Sequence, residues 1–149
     1  IYSYSYGASN YKKNLENLAI ELGVNIYFDN MIDDMDLVHA YNEAYITAFP
    51  SLLEPLGLVV LESMSCGTPV IGVEEAGPRE TIIHNETGLL TARDETEFAH
   101  AIKNLMTNES LRISMGRKAR QNIQDHWTWS DLAINFEKNI NQFIYKDYK

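Results

Sequence analysis

Glu54 and Glu62 stand on either side of Gly57 in the run FPSLLEPLGLVVLESMSCGTPVIGV at 49–73, and these three residues carry most of the chemistry legible in the chain. A buried strand is expected to end at Phe49, a loop to follow, and Gly57 to open a helix. The N–H groups at a helix start lack intrahelical partners and carry the positive end of the helix dipole, so they suit a phosphate or another anion. Glycine at 57 lets a ligand approach the backbone with no Cβ in the way. Glu54 precedes this end, and Glu62 lies one to two turns inside, where helical geometry leans a side chain back toward the N-terminus. Two carboxylates are poor phosphate ligands but good acceptors for pairs of sugar hydroxyls. An anion cradle flanked by hydroxyl acceptors points to a nucleotide sugar.

Each glutamate also has a purely structural reading. Ser51-x-x-Glu54 fits a capping box, but Pro55 and Gly57 disfavour a helix beginning at Ser51. Glu62 taken alone is an ordinary solvated helix residue, and only its setting argues for more.

Other chemistries find little support. The single cysteine, Cys66, can form neither an internal disulfide nor a cysteine-based zinc site. It precedes a helix stop with no cation beside it in sequence, so an inert buried thiol is expected. His39, His100 and His126 lack a partner pattern, and His84 is expected to serve a helix C-terminus. No Ser/His/Asp or Cys/His set stands out. Arg79 and Glu80 read as an exposed ion pair, and at best one of Lys12 and Lys13 meets a phosphate. Trp127 and Trp129 are expected to pack at the last helix.

The 149 residues hold 12 Lys+Arg against 21 Asp+Glu, a formal charge of −9. That balance argues against nucleic acid or an anionic membrane as the main partner. No apolar run approaches the ~18 residues of a membrane span, and IYSYSYGASN has neither the basic start nor the apolar core of a signal peptide. A cytoplasmic, reducing setting is expected.

The elements that must position these residues alternate. Strands are predicted at 1–6, 25–28, 44–49, 70–73 and 88–91. Helices are predicted from Asn10 to Gly23, after an Asp33 or Asp34 cap, over 57–66, and from Gly77-Pro78 through Ile83. Three more follow: one from an Asp94-x-x-Glu97 capping box, one near 109–123, and one near 130–146 capped by Ser130. This pattern means a single α/β domain, a Rossmann-like parallel sheet with helices on both faces. It divides into a body at 1–127 and a C-terminal helix at 128–149. Ligands of such sheets bind at the carboxyl ends of the strands.

Glu54-x7-Glu62 in EPLGLVVLE, followed by SMSCGTPVIG, resembles the donor-binding motif of retaining glycosyltransferases of the GT-B fold, family four in particular. IYSYSYGAS, NIYFDNM, AGPRETIIHNETGLL and HWTWSDLA are similar to further family segments in the same order, so the likeness covers nearly the whole chain. The resemblance implies that Glu54 accepts hydroxyls of the transferred sugar and is the catalytic carboxylate. It implies that Leu56, Gly57 and Leu58 present N–H groups to the sugar and diphosphate, and that Glu62 holds the ribose. Asn30 and Met31 would lie against the base, and Gly7 would admit the nucleotide to the first loop. The donor would be a UDP-, GDP- or ADP-sugar, with no metal or other cofactor. Departures are Ser9 for the second glycine of the first loop, Asn30 in the strand–glycine loop, Ala76 for the first of paired glycines, and Tyr45 where an Asp is usual.

The family's donor domain normally begins with an earlier strand and helix, preceded by an acceptor-binding domain. The chain is therefore expected to be a fragment, the C-terminal half of a longer enzyme lacking that first strand and helix, inactive alone. Any peripheral membrane contact would come through the missing part. Two competing readings are a nucleotide-sugar epimerase of the same fold and a non-catalytic nucleotide-sugar or glycan-binding module.

Overall fold

A computed structural model describes residues 9–29 and 33–146 of the chain, which fall into two compact units divided between Leu37 and Val38. The predicted strand at 1–6 and three of the predicted site residues, Gly7, Asn30 and Met31, lie outside the described residues.

In the first unit, α1 runs over Ser9–Leu22. It stops where the sequence says it should. Gly23 adopts a left-handed φ of 66°, and its N–H reaches Ile20 O while the Val24 N–H reaches Ala19 O at 2.9 Å. These two bonds satisfy carbonyls that the helix end would otherwise leave open. The Lys12 ammonium lies 5.0 Å from the centre of the Phe28 ring and 4.0 Å from Glu16. Residues 24–29 form no regular element, so the strand expected at 25–28 is not there. A strand needs a ladder partner, and none pairs with it among the described residues.

Helix α2 (Asp34–Glu43) continues into the second unit, and Asp33 caps it by accepting the Asp36 N–H at 2.9 Å. The second unit holds β1 (Thr47–Phe49), α3 (Leu58–Ser65), β2 (Val70–Val73), α4 (Ala76–Thr81), β3 (Gly88–Thr91), α5 (Glu95–Thr107), α6 (Glu109–His126) and α7 (Trp129–Lys146). The three strands are parallel in the order β1-β2-β3, with Thr47 opposite Val70 and Val70 opposite Gly88. β1 is shorter than the predicted 44–49, while β2 and β3 match their predicted bounds. β2 is buried along its whole length, as a central parallel strand should be.

Each sheet face has its own core. On one, Val60 and Met64 of α3 pack with Val70, Ile82, Ala119, Phe49 and Ile123. On the other, Ala101 and Leu105 of α5 pack with Ile71, Leu89, Met115 and Leu111. α6 supplies both: its first half faces the α5 core and its second half the α3 core. Between them Gly116 lies so close to Gly67 O that a Cβ would overlap it. α6 therefore packs against the turn that leads into β2.

Two expected caps differ from prediction. Asp94 accepts the Glu97 N–H at 2.8 Å, but the Glu97 carboxylate turns to the Ala92 N–H at 3.1 Å instead of closing the reciprocal box. α7 is capped by Thr128, not Ser130: Asp131 N–H donates to Thr128 Oγ1 at 3.2 Å, and Thr128 N–H donates back to Asp131 Oδ2 at 3.3 Å. The reciprocal pair satisfies two donors at once, which Ser130, already inside the helix, cannot do. The apolar residues of α7, among them Leu132, Phe136, Ile140 and Phe143, are exposed. Trp129, expected to pack, is 88% exposed. No described helix is long and apolar enough to cross a membrane.

The capping geometry sets an expectation for amide exchange. Thr128→Ala should speed exchange at the Asp131 amide by about fivefold or more, on the ~1 kcal/mol value of such a cap. Ser130→Ala should leave it within twofold.

Candidate functional site

All three strands run the same way, so the loops after Phe49, Val73 and Thr91 emerge on one edge of the sheet. The first is Pro50–Gly57, the segment that carries Glu54. No helix begins at Ser51, which removes the capping-box reading of Glu54. The loop instead takes an irregular course in which Leu53 has a left-handed φ of 57°. A bulky residue in that region costs on the order of 1–2 kcal/mol, so the surroundings must hold it there.

The hold comes from α4. The Gly77 N–H donates to Glu54 O at 2.8 Å, and a Cβ built on Gly77 would lie 2.6 Å from Leu56 Cα and overlap its carbonyl. Only a residue without a side chain lets α4 press this closely on 54–56. The neighbouring Ala76 has a φ of 42°, so the alanine that replaces the first paired glycine sits in glycine's conformation.

Gly57 follows with φ 76° and caps α3 with no side-chain hydrogen bond. Its carbonyl accepts the Val60 N–H at 2.9 Å. The N–H groups of Leu58 and Val59 have no intrahelical acceptor, as at any helix start. The predicted helix thus begins one residue later than 57, and glycine serves as its cap. Gly57 is buried, whereas Leu56 and Leu58 are exposed and Glu54 is half-buried. The helix start thus has no side-chain cap, and Glu54 lies beside it.

The far end of α3 is pinned by a buried network. Ser63 Oγ lies 2.8 Å from Thr47 Oγ1 and 3.0 Å from Thr68 O, and Thr68 Oγ1 donates to Tyr41 O at 2.6 Å. Between the two ends, exposed Glu62 receives the Tyr41 phenol on Oε2 at 3.1 Å. Burial and the neighbouring Glu62 carboxylate push the Tyr41 hydroxyl above the ordinary tyrosine range.

Residues 6–122 match the family of glycosyl transferases group 1. The chain belongs to this family. A D-inositol 3-phosphate glycosyltransferase of Corynebacterium aurimucosum is 34% identical over 134 residues, which cover 88% of this chain and 32% of the relative. Sucrose-phosphate synthase from Thermosynechococcus elongatus superposes with a TM-score of 0.80 at 27% identity, over 97% of this chain and 38% of that one. Anabaena HepE in complex with UDP-glucose gives 0.69 at 25% identity, over 80% and 34%. The chain spans about a third of the length of these group 1 relatives, and its neighbours have the GT-B architecture.

Of the residues singled out from sequence, Leu56, Gly57 and Leu58 lie at the start of α3 with Glu54 beside Gly57, whereas the Glu62 carboxylate, farther along the helix, is turned to the Tyr41 phenol. Arg79 is exposed on α4 and makes no ion pair with Glu80; at this edge Glu75 pairs instead with Arg93, whose Nε donates at 3.0 Å. His84 is no helix cap, for its Nδ1 accepts the Leu90 N–H at 2.9 Å beside β3. Cys66 is partly exposed, and burial raises its thiol pKa, a nearby Arg120 opposing and Glu62 adding to the shift. Tyr45, at the position where an Asp is usual, lies under the Arg112 guanidinium at 4.5 Å. Sequence reasoning missed Tyr41 and its bond to Glu62. A groove of about 410 Å³ opens on the α5 side of the same edge, between Pro50, Leu52, Val73, Arg93, Phe98 and Ile102. No three His, Cys, Asp or Glu side chains gather as a metal site among the described residues.

Two substitutions at adjacent positions should move stability in opposite directions. Gly77→Ala should cost about 3 kcal/mol or more, because the added carbon meets backbone that cannot yield. Ala76→Gly should gain roughly 0.5–1 kcal/mol by relieving the left-handed strain, net of glycine's entropy. Urea unfolding of both variants checks the pair.

Proposed function

We propose that this chain binds the nucleoside-diphosphate sugar donor of a retaining glycosyltransferase that moves a hexose-type sugar to a glycan, lipid or small-molecule acceptor. The observation that carries the reading is the start of α3, without a side-chain cap, fixed by Gly77 beside Glu54 and with Glu62 on the same helix. Family membership and the UDP-glucose complex of the Anabaena neighbour support it.

In this reading the diphosphate lies at the Leu58 and Val59 N–H groups, where helix dipole and free donors meet negative charge. As the bond to the sugar breaks, charge builds on the leaving phosphate, and preoriented donors stabilise it without reorganising. Glu54 accepts sugar hydroxyls and fixes the transferred ring. Glu62 accepts the ribose diol. Positioning supplies the rest, since reactants held in line need no protein nucleophile. The acceptor is held by the rest of a longer enzyme, so the 149-residue chain alone does not complete transfer. We further infer that the donor site works without a bound metal.

Titrating the purified chain with UDP, GDP and ADP tests this directly. One of the three should bind, unchanged by EDTA, and Glu62→Ala should weaken it about 10–100-fold, the value of hydrogen bonds to a charged acceptor. Strict dependence on a divalent cation, or undiminished binding by the variant, would contradict the reading.

A further inference from the structure

We infer that Tyr41 is a positioning residue for the donor site: its phenol holds the Glu62 carboxylate in the orientation that receives the ribose diol. The inference rests on the role proposed for Glu62. An ionised carboxylate offers about four acceptor directions over two oxygens, and an exposed glutamate on a helix turns freely among its rotamers. Tyr41 removes that freedom by donating to Oε2 at 3.1 Å, which leaves Oε1 open. A vicinal diol presents two donors in fixed geometry, so a carboxylate already set in one plane loses less entropy on meeting it.

Tyr41 is itself well anchored. Its carbonyl accepts the Thr68 hydroxyl at 2.6 Å, Thr68 is 4% exposed, and the Thr68 N–H donates to Ser63 O at 3.1 Å. The ring is therefore tied at its main chain to the turn that ends α3, the helix that carries Glu62. The phenol, like any tyrosine hydroxyl at neutral pH, is protonated and donates. None of these anchors uses the phenol oxygen, so Tyr41→Phe removes the contact to Glu62 and leaves the backbone bonds in place.

A selectivity cycle tests the assignment. Of UDP, GDP and ADP, the tightest binder is compared with its 2′,3′-dideoxy counterpart on the wild-type chain, Tyr41→Phe, Glu62→Ala and the double variant, each with a matching unfolding curve. The expected result is that Tyr41→Phe weakens the ribose form about threefold to tenfold and leaves the dideoxy form unchanged. Adding it to Glu62→Ala should then change nothing further. Equal weakening of both nucleotides by Tyr41→Phe, or full retention of ribose selectivity, overturns the positioning role while Glu62→Ala still abolishes selectivity. If Glu62→Ala keeps ribose selectivity, or no nucleotide binds, the donor reading itself fails and takes this inference with it.

Discussion

The close approach of Gly77 to the backbone of Glu54–Leu56 is the constraint on which the rest of the site depends. One hydrogen bond at 2.8 Å and a contact with no room for a Cβ fix a loop that would otherwise be free at the edge of the sheet. Because the loop is fixed, Leu53 tolerates its left-handed conformation, and Gly57 delivers the chain into α3 at a defined angle. Strain at functional loops persists only where surrounding structure over-determines it. Here the surrounding structure is α4, whose first turn starts with an alanine in an unfavourable conformation of its own.

The opposite end of α3 is held by different physics. Ser63, Thr47 and Thr68 form a buried polar network whose named hydroxyls are paired, which is the condition for such groups to specify position without a desolvation penalty. Apolar packing of Val60 and Met64 supplies the adhesion to the sheet. A helix of eight residues is marginal alone, so its direction is set entirely by these contacts. Its amino end begins at Gly57 with no side-chain cap.

How much of this was legible in the sequence depends on range. β2 and β3 could be read to the residue because proline and glycine punctuate them and central parallel strands are uniformly apolar. The start of α3 at Gly57 was legible because helix-start chemistry is local. The segment at 25–28 looked equally strand-like, but a strand is made by its partner, and propensity carries no record of pairing. Thr128 lost to Ser130 on paper because both are good caps and only the backbone decides which lies outside the helix. The Tyr41–Glu62 contact spans 21 positions, and no periodicity encodes a hydrogen bond of that range. Ala76 was legible as a departure from the family, while its strain emerged only from the dihedral angle.

The central claim is that the start of α3, held by Gly77, receives the diphosphate. Amide chemical-shift mapping during a nucleoside-diphosphate titration measures this most directly. The largest shifts should fall on Leu58 and Val59, with Gly57 and Gly77 beside them, and should saturate with one binding constant. Shifts centred instead on the α5 groove around Ala92, Phe98 and Ala99, with the start of α3 silent, would contradict the account.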